Sequence, residues 1–227
     1  MRVDLSVLDA FGLRPADRAA WLASGLSEDA FEDWLMDRVA RRPSGERARA
    51  VYGAEDVHDF ARRAILGALR PAPGDRLLDI GCGGGLLLRD AIAHGAGATG
   101  LDHSADMVAL ARERAPGATV VLGSAESLPF PASAFTAVSM SIVFLFLPNP
   151  LAVLREAHRV LAPSGRLAVY TTSEQLRGTP AAPEPLASRS YFHSDAELAE
   201  LGRRADFVRV SVQNDNGGQL LTGERAP

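Results

Sequence analysis

From residue 75 onwards, strand and helix patterns alternate along the chain, and a glycine-rich turn follows the first strand. The apolar strand Arg76–Ile80 leads into Gly81-Cys82-Gly83-Gly84-Gly85, after which a helix is predicted through about Ala93. Four more strands are predicted at residues 98–101, 119–122, 134–141 and 166–172, and further helices at residues 104–115 and 149–161. Such alternation forms βαβ units with right-handed crossovers. It predicts a mostly parallel sheet covered by helices on both faces.

Helical patterns fill the chain before residue 75. Pro15 is placed to open one helix and Ser27 to cap a second. A third helix is predicted from about Ala54 to Leu69, before a proline-rich stop at residues 71–74. We therefore predict two units, an N-terminal helical extension over residues 1–74 that acts as a lid and a sheet domain over residues 75–227.

The C-terminal part of the chain combines a loop, a helix and a hairpin. Residues 174–190 contain several prolines and show no periodicity, which predicts a mobile loop over a site. Ser194 is placed to cap a helix that runs through Arg204. Two short strands at residues 208–212 and 219–222 flank an Asn- and Gly-rich turn, which predicts a β-hairpin.

The composition excludes several classes of protein. A net charge of -4 argues against a nucleic-acid partner. The single cysteine, Cys82, excludes an intrachain disulfide framework and a Cys-rich zinc site, and the absence of lysine excludes Schiff-base chemistry. The longest apolar run, residues 142–147, is far shorter than the roughly 20 residues that span a bilayer, and residues 1–17 lack the apolar core of a secretion signal. We predict a cytoplasmic monomer or homodimer that has no metal site and binds neither nucleic acid nor membrane.

Carboxylates and glycines at the ends of the first two strands predict a nucleotide site. Ligands of parallel sheets bind at the carboxyl ends of the strands, where Asp79 precedes the glycine turn. Asp102 ends the second strand, 21 residues beyond Gly81, and a carboxylate there can accept both hydrogen bonds of a ribose diol. The dinucleotide fingerprint needs a sixth-position glycine, where this chain has Leu86 or Leu88. The pattern favours a nucleotide cofactor without a pyrophosphate.

From about Leu69 to Thr222 the chain resembles the class I S-adenosylmethionine-dependent methyltransferases. The resemblance is carried by the first motif, the ribose-binding strand end, the adenine-binding stretch, the helix and turn before strand five and the closing hairpin, at residues 77–85, 100–104, 123–130, 154–166 and 208–222. It is closest to the small-molecule branch that includes the ubiquinone/menaquinone C-methyltransferases. It implies a Rossmann-like, seven-stranded, mostly parallel sheet in three αβα layers, with an antiparallel C-terminal hairpin and an N-terminal helical extension. Residues 75–227 would then be the S-adenosylmethionine-binding domain.

The resemblance also implies roles for individual residues. Asp79 would face the methionine ammonium group and Asp102 would hold the ribose hydroxyls. Three groups of residues would complete the site: those against the methionyl and ribose parts (Gly81, Cys82, Gly83), those around the adenine (His103, Met107, Ser124, Ala125, Glu126) and those whose carbonyls face the ammonium or sulfonium (Ser139, Ser141).

The acceptor side of the site is less defined by the sequence. The candidates for a general base are Tyr52, His58, Tyr191 and His193. Phe144 and Phe146 are candidates to line the substrate pocket, and burial against the sheet is an equal alternative for Phe146. The strand-four segment lacks the Asn-Pro-Pro-Tyr signature of amino-methylating enzymes.

The resemblance implies transfer of a methyl group to a small-molecule acceptor by in-line displacement. Three alternatives stay open on the sequence: a non-methylating enzyme that uses the same cofactor, such as a cyclase; a non-catalytic protein that keeps the cofactor for stability; and an NAD(P)-dependent oxidoreductase, which Leu86 disfavours.

Overall fold

Strands and helices alternate through the part of the chain that the structure describes. The computed structural model describes residues 21, 23–25, 27–55, 58–215 and 217–227, so the helix predicted at Pro15 lies outside them. The strands are β1 (Arg76–Ile80), β2 (Gly97–Asp102), β3 (Thr119–Leu122), β4 (Phe135–Ser141), β5 (Leu161–Thr172), β6 (Phe207–Asp215) and β7 (Gly218–Arg225). The α-helices are α1 (Glu28–Met36), α2 (Gly45–Gly53), α3 (Asp59–Leu69), α4 (Leu86–Ala93), α5 (Ala105–Arg114), α6 (Pro150–Val160), α7 (Leu186–Arg189) and α8 (Asp195–Arg204).

The seven strands form one sheet with the order β3-β2-β1-β4-β5-β7-β6. The pairs from β3 to β5 are parallel, and β7 pairs antiparallel with both β5 and β6. The predicted fold is therefore confirmed. Because β2 and β4 lie on opposite sides of β1, the strand order reverses there, and the carboxyl end of β1 is the expected ligand position.

Neighbouring residues of each central strand point into two different cores, one on each face of the sheet. Leu78 of β1 packs in a core closed by α6 and α8, whereas Leu77 packs in a core closed by α3, α4 and α5. This is the three-layer arrangement expected of a buried parallel sheet. Ala61 and Ile65 place α3 in the second core, although α3 belongs to the predicted N-terminal extension. The domain boundary at residue 74 stays a prediction.

The third helix begins later than the sequence predicted. We expected it from about Ala54, but α3 begins at Asp59. His58 adopts a left-handed conformation, with φ 51° and ψ 32°, which ends any helix that precedes it. Ala54 is extended and follows a separate helix, α2, and the residues between Glu55 and His58 lie outside the described part.

Three predictions near the C-terminus need correction. The hairpin strands are longer than predicted because the antiparallel pairing continues along the edge of β5. The strand predicted from Arg166 already begins at Leu161, with a register shift around Ser164, which has a φ of 61°. The predicted loop at residues 174–190 contains a 3₁₀ turn and the short helix α7. The predicted capping of α8 by Ser194 is confirmed as a reciprocal capping box with Glu197.

Candidate active site

A cavity of about 780 Å³ opens at the carboxyl ends of β1, β2 and β4. Cavities of this size hold small organic molecules. Its lining combines the glycine turn and the strand ends with residues between 37 and 43, with residues of the segments 141–147 and 170–186, and with Tyr52, His58, Phe60 and Arg62. The site therefore has a polar end at β1 and β2 and a more apolar end beyond β4 and β5.

Asp79 is a buried carboxylate at the polar end of this cavity. It is 2% exposed, and the Ser139 hydroxyl donates to its Oδ1 at 2.7 Å because the two residues are paired between β1 and β4. Burial raises the pKa of Asp79 to about 7; the Ser139 hydrogen bond opposes this rise and the negative charge of Asp102 adds to it. A carboxylate in this position is a binding site for a cation.

Gly81 and Gly84 of the turn after β1 leave no room for a side chain. Gly81 has a φ of 73°, and a Cβ there would lie 2.3 Å from Cγ2 of Val143. A Cβ at Gly84 would lie 2.5 Å from the Tyr52 carbonyl oxygen. The turn is fixed to β2 by the backbone N–H groups of Gly81 and Cys82, which donate to the Leu101 oxygen at 2.7 and 3.1 Å. Bare backbone therefore lines the cavity.

Asp102 holds the other side of the turn. Its Oδ2 accepts a hydrogen bond from the Gly83 N–H at 2.9 Å, and its Oδ1 accepts one from the Ser104 N–H at 2.8 Å. A carboxylate has about four acceptor positions, so each oxygen keeps one for a ligand. The backbone contacts orient both oxygens before a ligand arrives.

These residues fit S-adenosylmethionine. When ionised, Asp79 would offer a negative charge to its ammonium group, Asp102 would offer paired acceptors to a diol, and the glycine turn would admit close approach of a ligand to the backbone. Met107, which is 1% exposed, and the half-buried Ala125 line the same cavity and provide apolar surface for a flat ring.

The remaining predicted cofactor residues divide into two groups. Cys82, His103 and Ser141 line the cavity with those already described. Ser124 and Glu126 are exposed and lie outside its lining, and Ser139 lies behind Asp79. The role of Glu126 at the adenine stays a prediction.

Two of the four candidates for a general base line the cavity, and two do not. Tyr52 and His58 line the cavity. Tyr191 is exposed and outside the lining; His193 is also outside and packs edge-on against Phe144, with ring centroids 5.6 Å apart. Burial raises the pKa of Tyr52 to about 12, with a contribution from Asp102, and burial lowers the pKa of His58.

Of the two candidate pocket phenylalanines, Phe146 lines the cavity and Phe144 is fully buried. The expectation for Phe144 was wrong, because residues 144–146 form a 3₁₀ turn in which the Phe144 side chain is buried. Sequence reasoning missed Phe60 and Tyr170, which also line the cavity. The sequence could have indicated Tyr170 as a site residue only through its position near the carboxyl end of β5.

Comparison with known proteins agrees with this geometry. Residues 78–169 match the family model described as a methyltransferase domain. This part of the chain is therefore similar to a methyltransferase domain.

Among curated proteins, the chain is similar to the demethylmenaquinone methyltransferase of Beutenbergia cavernae, with 39% identity over 135 residues, or 60% of this chain and 55% of the relative. The chain thus spans a little over half the length of such relatives.

Solved structures share the fold at lower identity. Phosphoethanolamine N-methyltransferase 2 of Haemonchus contortus, solved with S-adenosyl-L-methionine, matches with a TM-score of 0.69 and 17% identity, over 89% of this chain and 61% of that one. The [4+2]-cyclase SpnF matches with a TM-score of 0.63 and 22% identity, over 75% of this chain and 81% of that one. At these identities the likeness concerns the fold alone.

The described residues contain neither a helix suited to span a membrane nor a cluster suited to hold a metal ion. In the described ranges no helix has the length and apolar character to cross a membrane. Within the same ranges no group of three or more His, Cys, Asp or Glu side chains is placed to hold a metal ion.

Proposed function

We propose that the protein transfers a methyl group from S-adenosylmethionine to a small-molecule acceptor. The observation that carries this proposal is the lining of one cavity, which combines Asp79 and Asp102 with apolar side chains of the segments 141–147 and 170–186. The carboxylate end would take the cofactor, and the more apolar end, here called the acceptor compartment, would take an acceptor beside it. The match of residues 78–169 to a methyltransferase domain supports the same reaction class.

The chain's own residues would bind and orient the two reactants and shield them from water. When bound, the cofactor supplies a methyl group on a positively charged sulfur, which needs no activation by the protein. Asp79 would hold the ammonium group and Asp102 the ribose, and these two contacts would orient the cofactor for transfer to the acceptor. The apolar side chains of Leu145, Phe146 and Leu176 would exclude water from the acceptor compartment.

The N-terminal segment would act as the lid over the cofactor end. The Ser104 hydroxyl donates to the Pro43 carbonyl at 2.5 Å, and the Gly45 N–H donates to Oδ2 of Asp106 at 2.7 Å. Arg114 donates to the carbonyls of Tyr52 and Gly84, both at 3.0 Å. These contacts join residues 43–53 to α5 and to the glycine turn, which supports a cover over the ribose position.

Quinone-type compounds are the first acceptor class to test, because several relatives are named demethylmenaquinone methyltransferases. The location in the cytoplasm, the monomeric or dimeric state and the lack of a nucleic-acid or membrane partner belong to the same proposal. Nanomolar DNA or RNA binding in a gel shift at physiological salt would contradict the last of these.

Calorimetry followed by product analysis tests the proposal. We expect S-adenosylmethionine and S-adenosylhomocysteine to bind and NAD not to bind. Incubation with reduced quinones, phenols and amines should then give S-adenosylhomocysteine and a product heavier by one methylene, and the fragmentation spectrum identifies the methylated atom. Binding of NAD alone would refute the cofactor assignment. An acceptor that is rearranged without a gain in mass would instead indicate a cyclase.

A further inference from the structure

Four aromatic rings form a continuous row along one wall of the cavity. The centroid distances are 6.3 Å from Tyr52 to His58, 6.3 Å from His58 to Phe60 and 5.6 Å from Phe60 to Tyr170, and each pair meets edge to face. All four residues line the cavity. The row comes from α2, the start of α3 and β5, so tertiary packing assembles it.

The two ends of the row lie at different parts of the site. Cδ1 of Tyr52 is 3.9 Å from where a Cβ on Gly83 would stand, which places this ring at the glycine turn. Tyr170 packs directly on Gly218, where a Cβ would lie 2.2 Å from its Cε1. His58 therefore lies within the row, between the ring at the glycine turn and the rings that lead to Gly218.

The local structure at His58 serves no evident purpose for α3. The residue is the N-cap of this helix, a position that favours Ser, Thr, Asp or Asn, but its side chain makes no capping hydrogen bond. It also holds a left-handed φ of 51°, which is uncommon outside glycine. Unfavourable backbone conformations of this kind are concentrated at functional sites. The imidazole lies along the cavity instead of capping the helix.

Other ionisable groups of the described lining are poorly suited to accept a proton from an acceptor. Asp79 and Asp102 belong to the cofactor end, His103 is exposed beside Asp102, and Asp37 pairs with Arg41 at 3.3 Å. The Tyr170 hydroxyl donates to the Asp215 carbonyl. Burial raises the pKa of both Tyr52 and Tyr170 to about 12, so neither is a base near neutral pH. The lowered pKa of His58 keeps its imidazole neutral, with one ring nitrogen able to accept a proton.

The same lining indicates the acceptor chemistry. The acceptor end has aromatic and aliphatic walls, and none of the residues between 141 and 186 that line the cavity carries a carboxylate, which disfavours an ammonium-bearing acceptor. A carboxylate acceptor would need no base at all. A flat, apolar compound with a weakly acidic hydroxyl group fits both the walls and a neutral histidine.

We propose that His58 is the general base that removes the proton from a hydroxyl group of an aromatic acceptor lying against Phe60. This inference rests on the proposed function. The acceptor oxygen forms a bond to the methyl carbon while the carbon–sulfur bond breaks, and the sulfur keeps the bonding electron pair. The hydroxyl proton moves to the acceptor nitrogen of His58 and from there to solvent.

Binding measurements come first and need no turnover. S-adenosylhomocysteine should bind wild type, His58→Gln and the control His193→Gln with the same affinity by calorimetry; failure of the wild type to bind would refute the proposed function itself. In the S-adenosylhomocysteine complex, 2-naphthol should shift the NMR signals of the His58 ring, assigned by their loss in His58→Gln, and leave those of His193 in place. If the His58 signals do not shift up to the solubility limit of 2-naphthol, the placement of the acceptor beside His58 is overturned. This binding result decides the question even if 2-naphthol is not methylated.

Turnover distinguishes a base from a structural residue. For 2-naphthol, His58→Gln should lower kcat by roughly 10²–10⁴-fold with little change in KM. For the more acidic 1-nitro-2-naphthol, which ionises without help, the loss should be below about tenfold. Added imidazole should restore part of the activity of His58→Ala, and His193→Gln should retain activity on both acceptors. Equal losses on the two acceptors, or an equal loss in His193→Gln, would overturn the role.

Discussion

Replacement of Asp79 by Asn should make the ligand-free protein more stable while it weakens cofactor binding. The Asp79 carboxyl is 2% exposed and its pKa is raised from 3.8 to about 7, mainly by burial. A shift of this size corresponds to about 4 kcal/mol of destabilisation of the native state once the group is ionised, at about 1.36 kcal/mol per unit. Asn keeps the shape and can still accept the Ser139 hydrogen bond at 2.7 Å, but it carries no charge.

The sign and the pH window follow from the direction of the shift. Below pH 3.8 the carboxyl is neutral in both states and has no effect on the free energy of unfolding. As the pH rises, the unfolded chain ionises first, so native stability falls until the folded group also ionises near pH 7. The destabilisation is about 1.7 kcal/mol at pH 5 and about 4 kcal/mol at pH 8, a difference of roughly 2.5 kcal/mol.

Urea unfolding of wild type and Asp79→Asn at pH 5 and pH 8 measures this difference. The variant should be the more stable protein at both values, by the larger margin at pH 8. Asp75→Asn is the matched control, just before the opposite end of β1. Burial raises the pKa of Asp75, but hydrogen bonds from Thr136 and Arg166 outweigh burial, so the net pKa is lowered. This substitution should therefore destabilise the native protein. An Asp79→Asn protein that is no more stable than wild type at pH 8 would refute the reasoning.

Three further predictions concern the cofactor end. Affinity for S-adenosylhomocysteine should rise by up to about tenfold per pH unit below pH 7 and level off above it, because the ligand's ammonium group needs an ionised Asp79; calorimetry that shows no pH dependence between pH 6 and pH 8 would contradict this. Asp102→Ala should lower the same affinity by roughly 1.5–3 kcal/mol through loss of charge-assisted hydrogen bonds, and unchanged binding would disprove our position for the ribose. Gly81→Ala should reduce both binding and melting temperature, because its Cβ would lie 2.3 Å from Val143. Val143→Ala in the same protein should restore part of the loss, and no recovery would show that the left-handed φ of 73° is the dominant cause.

The parts of the site that were predictable from sequence depend on local pattern. Asp79, the glycine turn and Asp102 follow directly from strands whose carboxyl ends must meet at one edge of a parallel sheet. The row of aromatic rings was not predictable, because Phe60 and Tyr170 come together only when α3 packs across β5. The burial of Phe144 was not predictable for a related reason, since residues 144–146 form a 3₁₀ turn that the sequence pattern did not indicate.

Helix and strand boundaries were likewise predictable only where a local sequence signal sets them. Side-chain caps at Ser104 and Ser194 fixed two helix starts, which the sequence located correctly. The start of α3 could not be located, because His58 ends the preceding pattern through a backbone conformation that its residue type does not signal. The lengths of β6 and β7 depend on the edge that β5 offers them, which is a property of the assembled sheet.

The guanidinium of Arg114 has a consequence for anyone who would redesign this protein. It donates hydrogen bonds to carbonyls of two segments that lie far apart in the chain, at Tyr52 and Gly53 on one side and at Gly84 on the other. A chimera that takes its first 53 residues from another protein would therefore import a helix end whose carbonyls must match a side chain encoded some sixty positions downstream. Exchange of acceptor preference by transplanting the N-terminal segment should succeed only when position 114 is transplanted with it.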